Sequence, residues 1–252
     1  MSGVVLVIPC FNEEQRLDRE EMLRLARHEG LSLLLVDDGS RDNTRAVLDE
    51  LAARDPASIG VLALAKNSGK SEAVRTGLQA AVATGARWVG FADADLATPV
   101  EEIVRLADIA RNGEADVVLG SRVAMAGTRI ERRALRHYLG RVFSTAAALT
   151  LQARFYDTQC GAKLFRNTEL LRAALEARFN SRWIFDVELL ARLLGGVGAL
   201  EGLPVEAFKE VPLERWMDVP GSRLRPKDLA KVGAELFVIW RAVRERRRQT
   251  GR

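Results

Sequence analysis

LSLLLVDDGS, residues 31–40, opens with six residues that are apolar but for Ser32, then turns at once to two aspartates, a glycine and a serine. A strand apolar on both faces belongs inside a parallel sheet covered by helices. The same form recurs on either side, at Val4–Pro9, Ile59–Ala65, Trp88–Ala92 and Asp116–Ser121. Between these runs lie helical patterns; in the clearest, Ala73, Val74, Gly77, Leu78, Ala81 and Val82 recur at helical spacing. Such alternation predicts an α/β fold, a mostly parallel sheet joined by crossover helices. Ligands of such sheets bind beyond the carboxyl ends of the strands. Chemistry is therefore expected in Pro9–Glu14, Asp37–Asp42, Lys66–Lys70, Asp93–Asp95 and Ser121–Arg122.

The second half loses this rhythm. Residues 131–152 read as a helix, followed by the Cys-Gly-rich segment YDTQCGAKLF (156–165) and helices near 168–177 and 184–194. Ala199–Pro204 and Phe208–Pro212 are strand-like, and a last helix starts after Pro226. With 252 residues, 48% hydrophobic and 29% charged, the chain can bury a large core and is neither disordered nor fibrous. No apolar run reaches the roughly 18 residues of a spanning helix, and no basic leader opens the chain. Two cysteines make neither a disulfide framework nor a metal cluster, so a cytoplasmic location is expected. Residues 241–252 hold six Arg and one Glu, net +5 against +4 for the whole chain, and Arg122 to Arg141 includes six Arg against Glu131. Such stretches serve as solvated helix faces or as contacts for phosphates.

Three segments carry the chemistry. Asp93-Ala94-Asp95 follows the strand-like WVGFA directly; two hard oxygen donors there suit Mg2+ or Mn2+ shared with substrate phosphates. VDDGSRDNT (36–44) makes a strand–turn–helix connection. A turn alone leaves two consecutive buried aspartates unexplained, whereas a ligand with donor groups, such as a nucleobase or a ribose, would account for them. KNSGK (66–70) lacks P-loop spacing, yet a helix beginning at Ser71 beside Lys70 can hold an anion.

Taken in order, IPCFNEE (8–14), VDDGSRDNT (36–44), KNSGKSEAVRTG (66–77), DADLATP (93–99), GSR (120–122), DTQCGAKLF (157–165), RWIFDVELL (182–190) and GSRL (221–224) resemble the motifs of the family 2 glycosyltransferases of the GT-A fold. Within that family they look like the polyprenyl or dolichyl phosphate glycosyltransferases, most of all the dolichyl-phosphate beta-glucosyltransferases. The resemblance implies one GT-A (Rossmann-like) domain, with a nucleotide-sugar-binding half at 1–125, an acceptor-binding half at 126–225 and a basic amphipathic helix at 226–252. It implies that Pro9, Phe11, Glu13, Asp37, Lys66, Gly69, Lys70, Asp93 and Ala94 hold the nucleotide sugar. Asp93 and Asp95 would hold the Mg2+ or Mn2+, and Arg122, Arg132, Arg133 and Arg136 would bind acceptor or leaving-group phosphate.

The implied reaction is inverting, metal-dependent transfer of a hexose, from UDP-glucose first, to a polyprenyl phosphate. Catalytic roles fall to Asp95, Asp186 and Asp157, the last two, with Glu188, as bases for a hydroxyl acceptor; pairing with Arg182 or Arg192 is their structural alternative. GDP-mannose as donor, a soluble hydroxyl acceptor and, outside the class, nucleotidyl transfer are the competing readings. Nucleic acid is not an expected partner, because only 6% of residues are aromatic and none lies among the tail arginines. The apolar faces of the 131–152 and last helices, with Phe143, Phe237 and Trp240 near Arg, suit peripheral contact with an anionic membrane, packing on the domain, or a second copy of the chain.

Overall fold

The computed structural model describes residues 3–131, 134–217 and 229–250. The first half alternates as expected: β1 (Val4–Cys10), α1 (Arg19–Ala26), β2 (Leu31–Asp37), α2 (Thr44–Arg54), β3 (Ile59–Ala63), α3 (Lys70–Ala83), β4 (Trp88–Ala92), α4 (Val100–Asn112) and β5 (Val117–Ser121). Then come β6 (Arg129–Glu131), α5 (Ala134–Leu151), β7 (Ala162–Arg166), α6 (Glu169–Glu176), α7 (Phe185–Gly195), β8 (Phe208–Pro212), β9 (Arg215–Met217) and α8 (Leu229–Thr250).

Seven strands form one sheet in the order β3-β2-β1-β4-β7-β5-β8, and β6 and β9 form a parallel pair beside it. All neighbours in the large sheet are parallel except β7, which runs antiparallel to both β4 and β5. The two halves expected from the sequence thus share one sheet, since β7 from the second is inserted between β4 and β5 of the first. Alternate strand residues feed two cores. Leu6, Ile8 and Leu35 pack with α1, α2 and α4; Val7, Val36 and Phe91 pack with α3, α6 and α7, and Ile239 of α8 joins them.

Two expectations are corrected. Ala199–Pro204 is not a strand; its only ladder contact among the described residues is an isolated bridge from Leu200 to Val197. The helix expected to begin at Ser71 begins at Lys70, after Gly69 at φ +92°.

Placement of the site follows from register. Cys10, Asp37 and Ala63 stand side by side at the carboxyl ends of β1, β2 and β3. The sheet grows outward in both directions from β1 and β4, so a crevice opens where the strand order reverses. Because β7 is antiparallel, its amino end lies against the carboxyl end of β4, Ala162 opposite Ala92. That brings residues 157–161 to the same edge.

Candidate active site

The carboxyl edge carries paired charges. Asp93 and Asp95 follow β4 in a tight turn, with Leu96 at φ +48°; a left-handed leucine costs about 1–2 kcal/mol. The turn lets the Ala97 N–H donate to Asp95 Oδ1 at 3.2 Å and the Leu96 N–H to the Asp93 carbonyl at 3.2 Å. Lys70, at the start of α3, reaches Asp93 Oδ1 at 2.5 Å, and Arg16 reaches Asp95 Oδ2 at 3.6 Å and Glu13 Oε2 at 3.4 Å. Burial, and then the charge of Asp93, push the Asp95 carboxyl above the usual range. For Lys70 burial works against the charge, and Asp93, Asp186 and Asp95 outweigh it, so its ammonium is held more firmly than usual.

The loop before β7 closes one side. Gly161 accepts the Asp93 N–H at 3.0 Å, and a Cβ on Gly161 would collide with Asp93 Oδ2. The carboxylate therefore occupies the space that a side chain would fill. Farther along the loop, Asp157 takes Arg122 bidentately, from Nε at 2.6 Å and Nη2 at 2.8 Å, and accepts the Arg122 backbone N–H at 3.0 Å. Arg122 also lies over the Trp216 ring at 5.3 Å. Burial alone would raise the Asp157 carboxyl; Arg122 brings it down to about 2. Asp186, in the first turn of α7, is 7% exposed and receives Lys163 Nζ at 3.1 Å.

These placements revise several sequence expectations. Asp157 and Arg122 serve each other, and a carboxyl held near 2 is a poor proton acceptor at neutral pH. Glu188 receives Arg192 at 2.7 Å and the backbone N–H groups of Asn180 and Ser181, the pairing that the sequence offered as its structural alternative. The double aspartate of the second motif divides in two. Asp38 is satisfied within the chain, accepting from the Ser68 N–H at 2.7 Å, the Gly69 N–H at 2.8 Å and Asn67 Nδ2 at 3.0 Å. Burial still raises its carboxyl despite those N–H groups. The N-terminus of α3 is thus partly filled by Asp38, which limits its use for an outside anion. Asp37 is 5% exposed and accepts the Ser40 N–H at 2.9 Å. Gly39, at φ +63°, is required here because a Cβ would strike the backbone of Lys66 and Asn67.

The remaining residues keep their places around the crevice. Pro9 and Phe11 lie at the end of β1 and just beyond it, half-buried; Ala94 is buried and Lys66 exposed. The Glu13 N–H donates to Thr44 Oγ1 at 2.7 Å, fixing the turn after β1. Cys10 and Cys160 are free and buried, and burial pushes both thiols up, Cys160 to about 11, so neither is a nucleophile at neutral pH. Arg132, Arg133 and the GSRL motif at 221–224 lie outside the described residues, as does the side chain of Arg136. Sequence reasoning missed Arg16 and Lys163. Arg16 carried the weak signal of a Glu three residues before it; Lys163 stood out only as a lysine within AKLFR.

Among the described residues no cluster of three His, Cys, Asp or Glu side chains is poised to hold a metal alone. Two hard carboxylates, one of them raised by burial and then by the charge of the other, nevertheless suit a divalent ion whose other ligands come from a diphosphate. Asp93 and Asp95 would hold it.

Residues 5–171 match the family described as Glycosyl transferase family 2. The chain is 30% identical to a dolichyl-phosphate beta-glucosyltransferase of Trichomonas vaginalis, covering 92% of this chain and 69% of that one. It is 28% identical to a polyprenol monophosphomannose synthase of Mycolicibacterium smegmatis, over 80% of this chain and 76% of that one. Its fold is similar to that of glucosyl-3-phosphoglycerate synthase from Mycobacterium tuberculosis, crystallised with Mn2+, UDP and phosphoglyceric acid; the TM-score is 0.67, at 21% identity, over 95% of this chain and 78% of that one.

Proposed function

The chain belongs to glycosyl transferase family 2, and from that premise we propose that it transfers a hexose, from UDP-glucose first, to a polyprenyl phosphate with inversion at the anomeric carbon. The observation that carries the reading is the Asp93–Asp95 pair at the carboxyl end of β4, one carboxylate met by Lys70 and the other by Arg16. The names of the relatives support a lipid phosphate acceptor: dolichyl phosphate for one and a polyprenol for the other. Asp93 and Asp95 of this chain, rather than the ligands of the neighbouring synthase, support the divalent ion.

Each group then has a task. Asp37 meets the base, while Pro9, Phe11, Glu13 and Ala94 line the nucleotide pocket. Lys66 and Lys70, with Gly69 between them, close over the nucleotide, Lys70 leaving Asp93 for the diphosphate. Asp93 and Asp95 would hold a Mg2+ or Mn2+, which would supply positive charge to the leaving diphosphate. The 1–125 half holds the donor, and Arg132, Arg133 and Arg136 of the 126–225 half take the acceptor phosphate. A lipid phosphate is already ionised near pH 7, so it attacks without a strong base; Asp186 serves an acceptor that must lose a proton. Peripheral contact with an anionic membrane through α8 would bring the lipid within reach. No helix among the described residues is long and apolar enough to cross a membrane.

The test is transfer of labelled sugar from UDP-glucose, with GDP-mannose in parallel, to a short polyprenyl phosphate with Mn2+ or Mg2+, counted after organic extraction. Metal-dependent label in the organic phase from UDP-glucose is expected. Label from GDP-mannose alone would reassign the donor, and slow sugar hydrolysis without lipid labelling would move the acceptor to a soluble alcohol.

A further inference from the structure

Lys163 is among the most deeply buried side chains of the molecule, 1% exposed in the middle of β7. Burying an ammonium is costly, and a well-packed apolar side chain is often neutral or better for stability at such a position. Lys163 Nζ donates to the Cys160 carbonyl at 2.5 Å and to Asp186 Oδ2 at 3.1 Å, and lies over the Phe91 ring at 5.2 Å. Phe91 itself packs against Phe165 and Phe185, with ring centroids 6.5 and 5.7 Å away. An apolar wall of this kind strengthens the ion pair it encloses.

The three contacts belong to three different elements. Cys160 is in the loop before β7, Asp186 is in the first turn of α7, and Phe91 is on β4, two residues before Asp93. The residue after Cys160 is Gly161, whose carbonyl accepts the Asp93 N–H and whose missing side chain leaves room for the Asp93 carboxylate. One cation thus ties Asp186 on one side to the support of Asp93 on the other.

We propose that Lys163 is a positioning residue: it ties the first turn of α7 to the loop that seats the Asp93 carboxylate, and so holds that carboxylate in the geometry the reaction needs without touching donor or acceptor. The proposal rests on the glycosyltransferase reading above and deepens it. Misplacement by about 1 Å can cost about 100-fold in rate, which a static ion pair serving stability alone would not do.

Lys163→Met keeps the length of the stem and removes charge and donors. The expected result is a loss of at least about tenfold in kcat, with KM for the nucleotide sugar and the Kd for UDP with Mn2+ within about twofold of wild type. If the Met variant does not fold, Lys163→Arg keeps the charge and redirects the donors; a loss of at least about threefold in kcat, with UDP binding unchanged, is then expected. A smaller loss of kcat in the folded variant overturns the proposal. So does a fall of kcat and UDP affinity together, which would make Lys163 a general support of the fold. Failure of the wild-type chain to bind UDP would instead overturn the donor reading, and the calorimetric titration of wild type separates the two.

Discussion

The Asp95 carboxyl is raised by burial and by the charge of Asp93. An acid raised in the folded state costs stability once pH exceeds its ordinary range and costs nothing below it. Asp95→Asn should therefore melt slightly higher than wild type at pH 7.5, by roughly 1–3 °C, with the gain shrinking as pH falls toward about 4. The same change should abolish the rise in melting temperature that Mn2+ with UDP gives wild type, and lower turnover by at least about 100-fold. An unchanged Mn2+ response would remove Asp95 from the metal site. Asp157 behaves in the opposite sense. Its carboxyl is held at about 2, so the ion pair with Arg122 adds stability above the usual aspartate range, and that stability is lost as pH falls from about 4 through about 2. The shift corresponds to roughly 2 kcal/mol. Arg122→Met leaves a buried carboxylate unpaired and should cost about 3–5 kcal/mol at pH 7. Denaturant unfolding at pH 7 and pH 3 should show the gap to wild type narrowing in acid; an equal gap at both would mean that lost packing on Trp216, not charge, is responsible.

Among the elements, β7 shows where sequence reading stopped. The strands β1, β2 and β4 were legible because an unbroken apolar run between turn residues has few other uses. In AKLFR a lysine interrupts the run, and its burial is possible only because Asp186 and the Cys160 carbonyl arrive from distant segments. Ala199–Pro204 failed in the opposite way, since apolar content alone does not supply a partner strand. The parallel pair of β6 and β9 joins Arg129 to Arg215, a pairing no local pattern encodes. Asp93 and Asp95 were legible from their place after a strand, whereas Arg16 matters only because the β1 turn folds toward them. The loop ahead of β7 offers a direct test. Gly161 adopts no left-handed conformation, so in Gly161→Ala the strain falls first on the Asp93 carboxylate, which supplies the three atoms nearest the added methyl. Turnover should fall at least about tenfold while the melting temperature moves by no more than about 3 °C. A large drop in melting temperature with retained specific activity would place the strain in the sheet rather than in the site.

At the scale of the whole molecule, net positive charge is concentrated toward one end of the chain. The last twelve residues carry net +5 while the remainder sums to −1. Just before them on α8, Phe237 and Val238 are 60% and 49% exposed, while Ile239 is buried and holds the helix to the core. An exposed apolar pair followed by arginines matches the surface of an anionic bilayer, where each cation contributes about 1 kcal/mol near the headgroups and salt screens the attraction. Removing residues 241–252 leaves Ile239 in place, so the domain should still fold and bind UDP. Affinity for vesicles rich in anionic lipid should nevertheless fall by at least about tenfold at low salt, as read by co-sedimentation, with little change on neutral vesicles. Turnover of a short polyprenyl phosphate dispersed in detergent should be preserved, because the carboxylates proposed to hold the metal, Asp93 and Asp95, follow β4 and are not on the tail. Loss of activity in detergent as well would show that the tail touches the acceptor directly, and undiminished vesicle binding would leave the apolar face of α8 to pack against another copy of the chain.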